Sequence, residues 1–414
     1  MSIDRTALLA LFALPLVAFG CRNGAHTDAQ AGEAPRSVGG GPKTTEQQPS
    51  LLPGATCPFP QRLDHDVKIA AGCVVDVTHN MLIESGSTLT IEPGVTLRFH
   101  EETYLEVGHK GSRLVAKGTA DRPIVFTSAM DKQKPGDWVG VVFDDAIGKQ
   151  GSVIEHAIVE YAGRESHGGE GAITVYGAFP AGRVSITDTV FRKNNLAALT
   201  NRHQGALFGA FEGNTFENNA RAMRVSADVL AAIGTSNTFG DPVEVVGGTV
   251  DHPGSWPAVG SPILVTGPVY VMGEAEYEAR LKLAEGTTLR FSPGTWIEVG
   301  TRKPGALDAT KVKFTSSSPN PVPGDWVGIL FGEHTQPSKI ADCVIEYAGL
   351  EEHGGDGAIT FTGSKAWQGL DVAIYGVQFH ADKQSQISAN GDGCNKGLDP
   401  KNGNSFGGGS EACR

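Results

Sequence analysis

The chain is divided into short apolar runs. Leu89-Thr90-Ile91, Ile124-Val125-Phe126, Val141-Val142-Phe143, Ala172-Ile173-Thr174-Val175 and Val184-Ser185-Ile186 are β-branched or aromatic and lie between Gly, Asn, Asp or Pro. Runs of that length suit strands, and no 3.6-residue apolar period persists far enough to specify a helix. Phe191, Phe216 and Phe239 set a finer beat with steps of 25 and 23 residues, and Asn recurs beside them at Asn194-Asn195, Asn214, Asn218-Asn219 and Asn237. About three short strands in each such step predict an all-β solenoid, whose inward residues stack from turn to turn into one core. The recurring Asn predicts a left-handed or otherwise tight corner, which Asn tolerates better than most residues.

A longer period lies over the short one. Thr96-Leu97-Arg98-Phe99 recurs as Thr288-Leu289-Arg290-Phe291 and Glu106-Val107-Gly108 as Glu298-Val299-Gly300, both at an offset of 192. Pro135-Gly136-Asp137-Trp138-Val139-Gly140 recurs as Pro323-Gly324-Asp325-Trp326-Val327-Gly328 at 188. Glu160-Tyr161-Ala162-Gly163 recurs as Glu346-Tyr347-Ala348-Gly349, and His167-Gly168-Gly169-Glu170 as His353-Gly354-Gly355-Asp356, at 186. Blocks kept in one order predict two tandem copies of a module of about 190 residues.

The string Thr88-Leu89-Thr90-Ile91-Glu92-Pro93-Gly94-Val95-Thr96-Leu97 is followed by Leu114-Val115-Ala116-Lys117-Gly118-Thr119, by Pro123 to Ser128, by Gly136-Asp137-Trp138 and by Glu160-Tyr161-Ala162-Gly163. Together they resemble the right-handed parallel β-helix repeat proteins of the pectin-lyase-like superfamily, in the form common among bacterial exported lipoproteins. The resemblance spans roughly residues 70 to 410, and it implies a right-handed parallel β-helix. The second copy departs from it at Ala284-Glu285-Gly286, which lacks the Pro.

The amino terminus gives an address. Ala7 to Gly20 is almost purely apolar, too short to span a bilayer and suited to a secretory signal. Cys21 directly after Gly20 resembles the lipobox of bacterial lipoproteins, which implies acylation of Cys21 and a lipid bilayer as partner. Arg22 stands where an inner-membrane retention signal would carry Asp, which favours the outer membrane. From Cys21 to Pro53 the chain is rich in Gly, Ala, Thr, Gln, Ser and Pro, as a flexible tether would be. The expected organisation is 1–20 signal peptide, 21–53 tether, 54–260 amino-terminal cap and first copy, and 261–414 second copy and carboxy-terminal cap.

Composition agrees. Glycine supplies 55 of 414 residues without a collagen period, and 40% hydrophobic content is enough for a core. A formal net charge of -12 argues against nucleic acid as a partner, because that affinity comes from neutralising phosphates. In an oxidising compartment the simplest cysteine scheme is local: Cys57 with Cys73, Cys394 with Cys413, and Cys343 buried and free. These two bridges would staple caps over the open edges of the first and last turns. No closely spaced Cys/His cluster suggests zinc or another metal, and no cofactor motif appears.

Candidate chemistry is sparse. Of the Asn-Thr-Asp, Asp-Asp, Gly-His-Gly and Arg-Ile-Lys strings of polygalacturonase-like enzymes only Asp-Asp occurs, as Asp144-Asp145 without the other three, and an acidic cluster with a matching base of the pectate-lyase kind is absent. No catalytic residue is therefore assigned. His167 with Glu170 and His353 with Asp356 could hold a ligand, but a glycine-rich corner facing water would carry the same residues. Trp138 and Trp326 could form an exposed stacking platform for carbohydrate or pack beneath the adjacent loop. Tyr104 and Trp296, at matching positions, look like a core aromatic rung. The reading is a noncatalytic, membrane-anchored β-helix of the cell envelope, structural or adhesive, that presents its wall to a polysaccharide or a surface protein. The alternative is a polysaccharide lyase or glycoside hydrolase with an unrecognised site on that wall.

Overall fold

A computed structural model describes residues 56–58, 62–108, 111–144, 149–176, 183–203, 208–355, 357–362, 372–383, 385–389 and 405–407. Strands of two to six residues follow one another around a solenoid. Met81–Ile83, Thr88–Ile91 and Thr96–Phe99 make one turn, and Tyr104–Val107 then lies in parallel against Met81–Ile83 to begin the next. Each strand pairs in parallel with strands one turn away, for example Leu105 with Val141 and Val141 with Ile173.

The pleat sorts the side chains. In Thr88–Ile91 and Thr96–Phe99, Leu89, Ile91, Leu97 and Phe99 point inward and are buried, while Thr88, Thr90, Thr96 and Arg98 point out. The inward set forms one contiguous core from Leu63 to Ile387. Within it Phe191, Phe216 and Phe239 stack in register, with ring centroids 4.9 and 5.1 Å apart. The 25- and 23-residue beat is this ladder. The chain is an all-β parallel β-helix.

One sheet of 14 strands runs from Arg62–Leu63 to Ser405–Gly407. The other two sides are interrupted. In the first half they are sheets of six and seven strands, and in the second half sheets of six and five. The interruption coincides with a helix, Ala227–Ala232, which the absence of a helical period did not predict. It is a single short element in an alanine-rich segment, with Ala227, Val229, Leu230 and Ala231 buried, and it takes the place of a strand between Met223–Val225 and Thr238–Phe239.

Counting that helix places the repeated blocks. From Thr96–Phe99 to Thr288–Phe291 the chain adds 21 strands and the helix, one element more than seven three-sided turns. The repeated blocks therefore do not stack on their own counterparts. Thr96–Phe99 belongs to the first-half sheet of seven, whereas Thr288–Phe291 belongs to the sheet of 14. Tyr104–Val107 belongs to the sheet of 14, whereas Trp296–Val299 belongs to the second-half sheet of six. Every block advances by one side of the solenoid. The missing Pro has no effect on its turn, since Gly94 and Gly286 take φ of +79° and +80°.

The corners are tight, and of the recurring asparagines Asn218 is left-handed, as expected; Asn194, Asn214, Asn219 and Asn237 are not, and before the first two the positive φ falls on Lys193 and Gly213. The side chains of these four asparagines are instead buried between turns. Asn194 Nδ2 donates to Val159 O at 2.9 Å and to Asn219 Oδ1 at 2.9 Å, and Asn219 Nδ2 donates to Phe191 O and to Asp241 Oδ2 at 2.9 and 2.7 Å. Asn214 and Asn237 form a second ladder of the same kind. An amide carries both donor and acceptor, so it can satisfy main-chain groups that a corner takes out of the sheets.

At the amino-terminal end Cys57 is bonded to Cys73, with Cα atoms 5.7 Å apart. Thr56 bridges Val74, and Cys57 N–H donates to Val74 O at 2.8 Å, so this segment covers the edge strand Val74–Val77. Cys343 is buried and unpaired in a disulfide, and burial pushes its thiol pKa up. Cys21, Cys394, Cys413, Asp356, the signal segment and the tether lie outside the described residues.

Candidate functional site

The tryptophans are structural. Trp138 and Trp326 have no exposed surface, so neither is a carbohydrate platform. Trp138 stacks on Phe99 with centroids 4.0 Å apart, and its indole N–H donates to Glu160 O at 2.9 Å. Trp326 repeats this with Phe291 at 4.1 Å and Glu346 O at 2.9 Å. The aspartate before each one closes a loop. Ser128 Oγ and Lys134 N–H donate to Asp137 Oδ2 at 2.6 and 3.0 Å, and Ser316 Oγ and Val322 N–H donate to Asp325 Oδ2 at 2.6 and 3.1 Å. The Gly-Asp-Trp string thus ties a loop to the sheet and inserts an indole beneath it. The shape of the loop fixes the order of these residues.

The histidine corners have folding roles as well. His167 and His353 both take positive φ, +48° and +50°, and lie over the outward aromatics Tyr104 and Trp296 with centroids 5.2 and 3.9 Å apart. A Cβ on Gly169 would meet Val139 Cγ1 at 2.3 Å, and one on Gly355 would meet Val327 Cγ1 at 2.6 Å, so both second glycines allow close approach. Tyr104 is only half-buried, contrary to the expected core rung, whereas Trp296 is buried, though on the outer side of its strand. Their strands point Leu105 and Ile297 inward, and Trp296 packs outside the main core with Val327 and Leu330. Burial beside Glu106 pushes the Tyr104 phenol pKa up.

The corner does not join its imidazole to its carboxylate. His167 Nδ1 lies 2.6 Å from Ser166 Oγ, whereas Glu170 forms an ion pair with Arg202. The corners also fail to share a wall. His167 leads into Ile173–Val175 of the 14-stranded sheet, and His353 leads into Gly357–Phe361 of the second-half six-stranded sheet, one side further round. Among the described residues no cluster of three or more His, Cys, Asp or Glu could hold a metal ion.

A polar wall begins at Glu170 of the first corner and continues along the outer face of the 14-stranded sheet. A cavity of about 350 Å³ is lined by Glu165, Glu170, Arg202, Arg221, Arg224 and Glu244. Glu244 is 6% exposed and accepts from Arg224 Nε at 3.1 Å and Thr266 Oγ1 at 3.0 Å. Arg221 Nε lies 2.9 Å from its other oxygen as an ion pair without hydrogen-bond geometry. A second cavity of about 530 Å³ is lined by Thr288, Arg290, Lys313, Thr315, Ser318 and Glu346. There Glu346 accepts from Thr315 Oγ1 at 2.9 Å and pairs with Lys313 Nζ at 3.0 Å.

Residues 61–176 match the family model of the pectate-lyase-like β-helix domain. The fold is a pectin-lyase-like parallel β-helix. No curated protein and no solved structure matches the chain. In this β-helix Glu170 is the one wall residue that a sequence motif marks, and Arg202, Arg221, Arg224 and Glu244 carry no short motif. Arg224 and Glu244 are register partners 20 residues apart, and Thr200, the partner of Arg224 from 24 residues earlier, brings Arg202 beside them. Polar residues recurring at outward positions at the turn length were the available signal.

The second cavity also shows a change between the repeated blocks. Arg98 holds the carboxylate of Asp76 through Nε and Nη2, both at 2.7 Å. Its counterpart Arg290 faces Leu264 in the same register and has no acidic partner among the described residues. Lys313 stands where the first half has Val125. The outer face of the second half therefore gains positive charge.

Proposed function

We propose that this protein is a noncatalytic, membrane-tethered β-helix of the cell envelope whose long-sheet wall binds polysaccharide. The observation that carries the reading is the pair of polar cavities on one face of one sheet. The strands Val243–Val245 and Thr288–Phe291 border them, and Ile263–Val265 lies between. At about 4.8 Å per strand the two borders are about 10 Å apart, so one linear glycan can cross both. Guanidinium, carboxylate and hydroxyl groups together match the donors and acceptors of a sugar. Arg290 presents the fork with which Arg98 holds a carboxylate, which favours an acidic sugar at the second cavity. The wall carboxylates Glu170, Glu244 and Glu346 are already engaged by Arg or Lys, which suits positioning better than proton transfer.

The anchor belongs to the same proposal. Acylation of Cys21 and the tether to residue 53 would hold the helix at the bacterial outer membrane, and the wall would face a polysaccharide or surface protein.

Full-length protein incubated with neutral and acidic glycans should retain acidic chains without shortening them, and Arg290→Ala should weaken that retention. Chain cleavage abolished by wall-carboxylate substitutions would overturn the noncatalytic reading in favour of a lyase or hydrolase. Labelled palmitate should enter the wild type and not Cys21→Ala, and equal labelling would remove the lipid anchor.

A further inference from the structure

The buried amide ladder of the first half has a counterpart in the second, where its chemistry changes. Asn194 Oδ1 accepts Ala162 N–H at 2.9 Å, and Asp382 Oδ1 accepts Ala348 N–H at 2.8 Å. The following residues match too, since Asn195 N–H donates to Ala162 O and Lys383 N–H to Ala348 O, both at 2.9 Å. Asp382 therefore occupies the ladder position of Asn194. The two side chains differ at one atom. Asn194 Nδ2 donates to Val159 O, the carbonyl of the preceding turn. Asp382 Oδ2 stands in its place, buried and without a hydrogen-bond partner. The position matching Val159 is Ile345, at the 186-residue offset of this block.

The other aspartate in a ladder shows what an ionised carboxylate needs there. Asp241 Oδ2 accepts two N–H groups of Asn219, from the main chain at 2.9 Å and from the side chain at 2.7 Å. Asp382 receives one N–H on one oxygen and none on the other. The corner is built for a group that accepts with one atom and donates with the other. Among carboxyl forms only the protonated acid does so.

We infer that Asp382 is a proton-operated latch that ties the turn beginning at Gln378–His380 to the turn before it. In the protonated form Oδ1 accepts from Ala348 and the hydroxyl donates to the preceding turn, as an asparagine amide does. Loss of the proton leaves two acceptors buried at a corner and loosens this turn.

The charges around it point the same way. Glu346 comes from the neighbouring strand Val344–Glu346 and is itself paired with Lys313 of Lys313–Ser316. Tyr347 follows Glu346, and His380 and Lys383 flank Asp382 on its own segment. The aliphatic stem of Lys383 runs along Gly324. Burial first, and then the Glu346 carboxylate, push the Asp382 pKa up to about 7, against the opposing pull of the Ala348 N–H. The latch would release close to neutrality.

Hydrogen exchange of Gln378–His380 and Ser385–Ala389 in full-length protein, divided by the intrinsic rate at each pH, tests this. Wild-type protection should fall at least tenfold from pH 5.5 to about 7 and level off above it. Asp382→Asn should stay protected throughout, and Asp382→Ala should be loose throughout. The infrared band of a protonated carboxyl at pH 5.5 should vanish in Asp382→Asn. Identical pH profiles for wild type and Asp382→Asn, or no protonated carboxyl band at pH 5.5, would overturn the latch.

Discussion

The two halves of the solenoid carry the same blocks in different surroundings. In the first half the corner after Phe191 is closed by Asn194, Asn219 and Asp241, each bonded to the next, beneath a stack of three phenylalanines. In the second half the same corner rests on Asp382 alone among the described residues. Outside, Arg98 faces Asp76 whereas Arg290 faces Leu264. Equivalent blocks thus keep their folding contacts and exchange their spare ones. The helix Ala227–Ala232 adds to this, because it rotates the second set of blocks onto a different side.

The largest predicted effects fall where the halves are alike. Trp138→Ala and Trp326→Ala should each cost about 3–5 kcal/mol in denaturant melts, since each removes a buried indole stacked on Phe and bonded to a carbonyl. A loss in only one half would break the equivalence.

The next effect belongs to the second half alone. Native Asp382 holds its proton to about pH 7 whereas the unfolded group releases it near 3.8, so the folded state binds more protons between those values. Stability should therefore fall as pH rises through that window, by at most about 4 kcal/mol, and remain low above it. Asp382→Asn should flatten this part of the profile and raise the melting temperature at pH 8. In the first half, Asn219→Ala should cost about 2–3 kcal/mol at every pH, because it leaves main-chain groups of the corner unsatisfied. The smallest effect sharpens the comparison outside. Arg98→Ala should cost less than about 1 kcal/mol and Arg290→Ala nothing measurable, since the first breaks an exposed ion pair and the second breaks none among the described residues.

Much of the fold was legible in the sequence. The Phe beat, the short runs and the repeated blocks each express a periodicity that stacking imposes. The helix was not legible, since six residues carry too little pattern, and the one-side offset depends on counting it. The ladder asparagines are legible only in part, because sequence shows that Asn recurs but not whether its backbone or its amide is used. Trp138 left burial and exposure open, and only the position of Phe99 decides between them. Beyond Glu170, the wall was invisible for a different reason: its members meet across successive turns and have no local signature.

The central claim is that ligand contact belongs to the outer face of the long sheet and not to the His-Gly-Gly corners. Photo-crosslinking a bound acidic oligosaccharide to the full-length protein, followed by peptide mapping, tests it most directly. The account predicts labelling at residues 199–225 and 288–316. Labelling confined to the corners at 166–169 and 352–355 would contradict it.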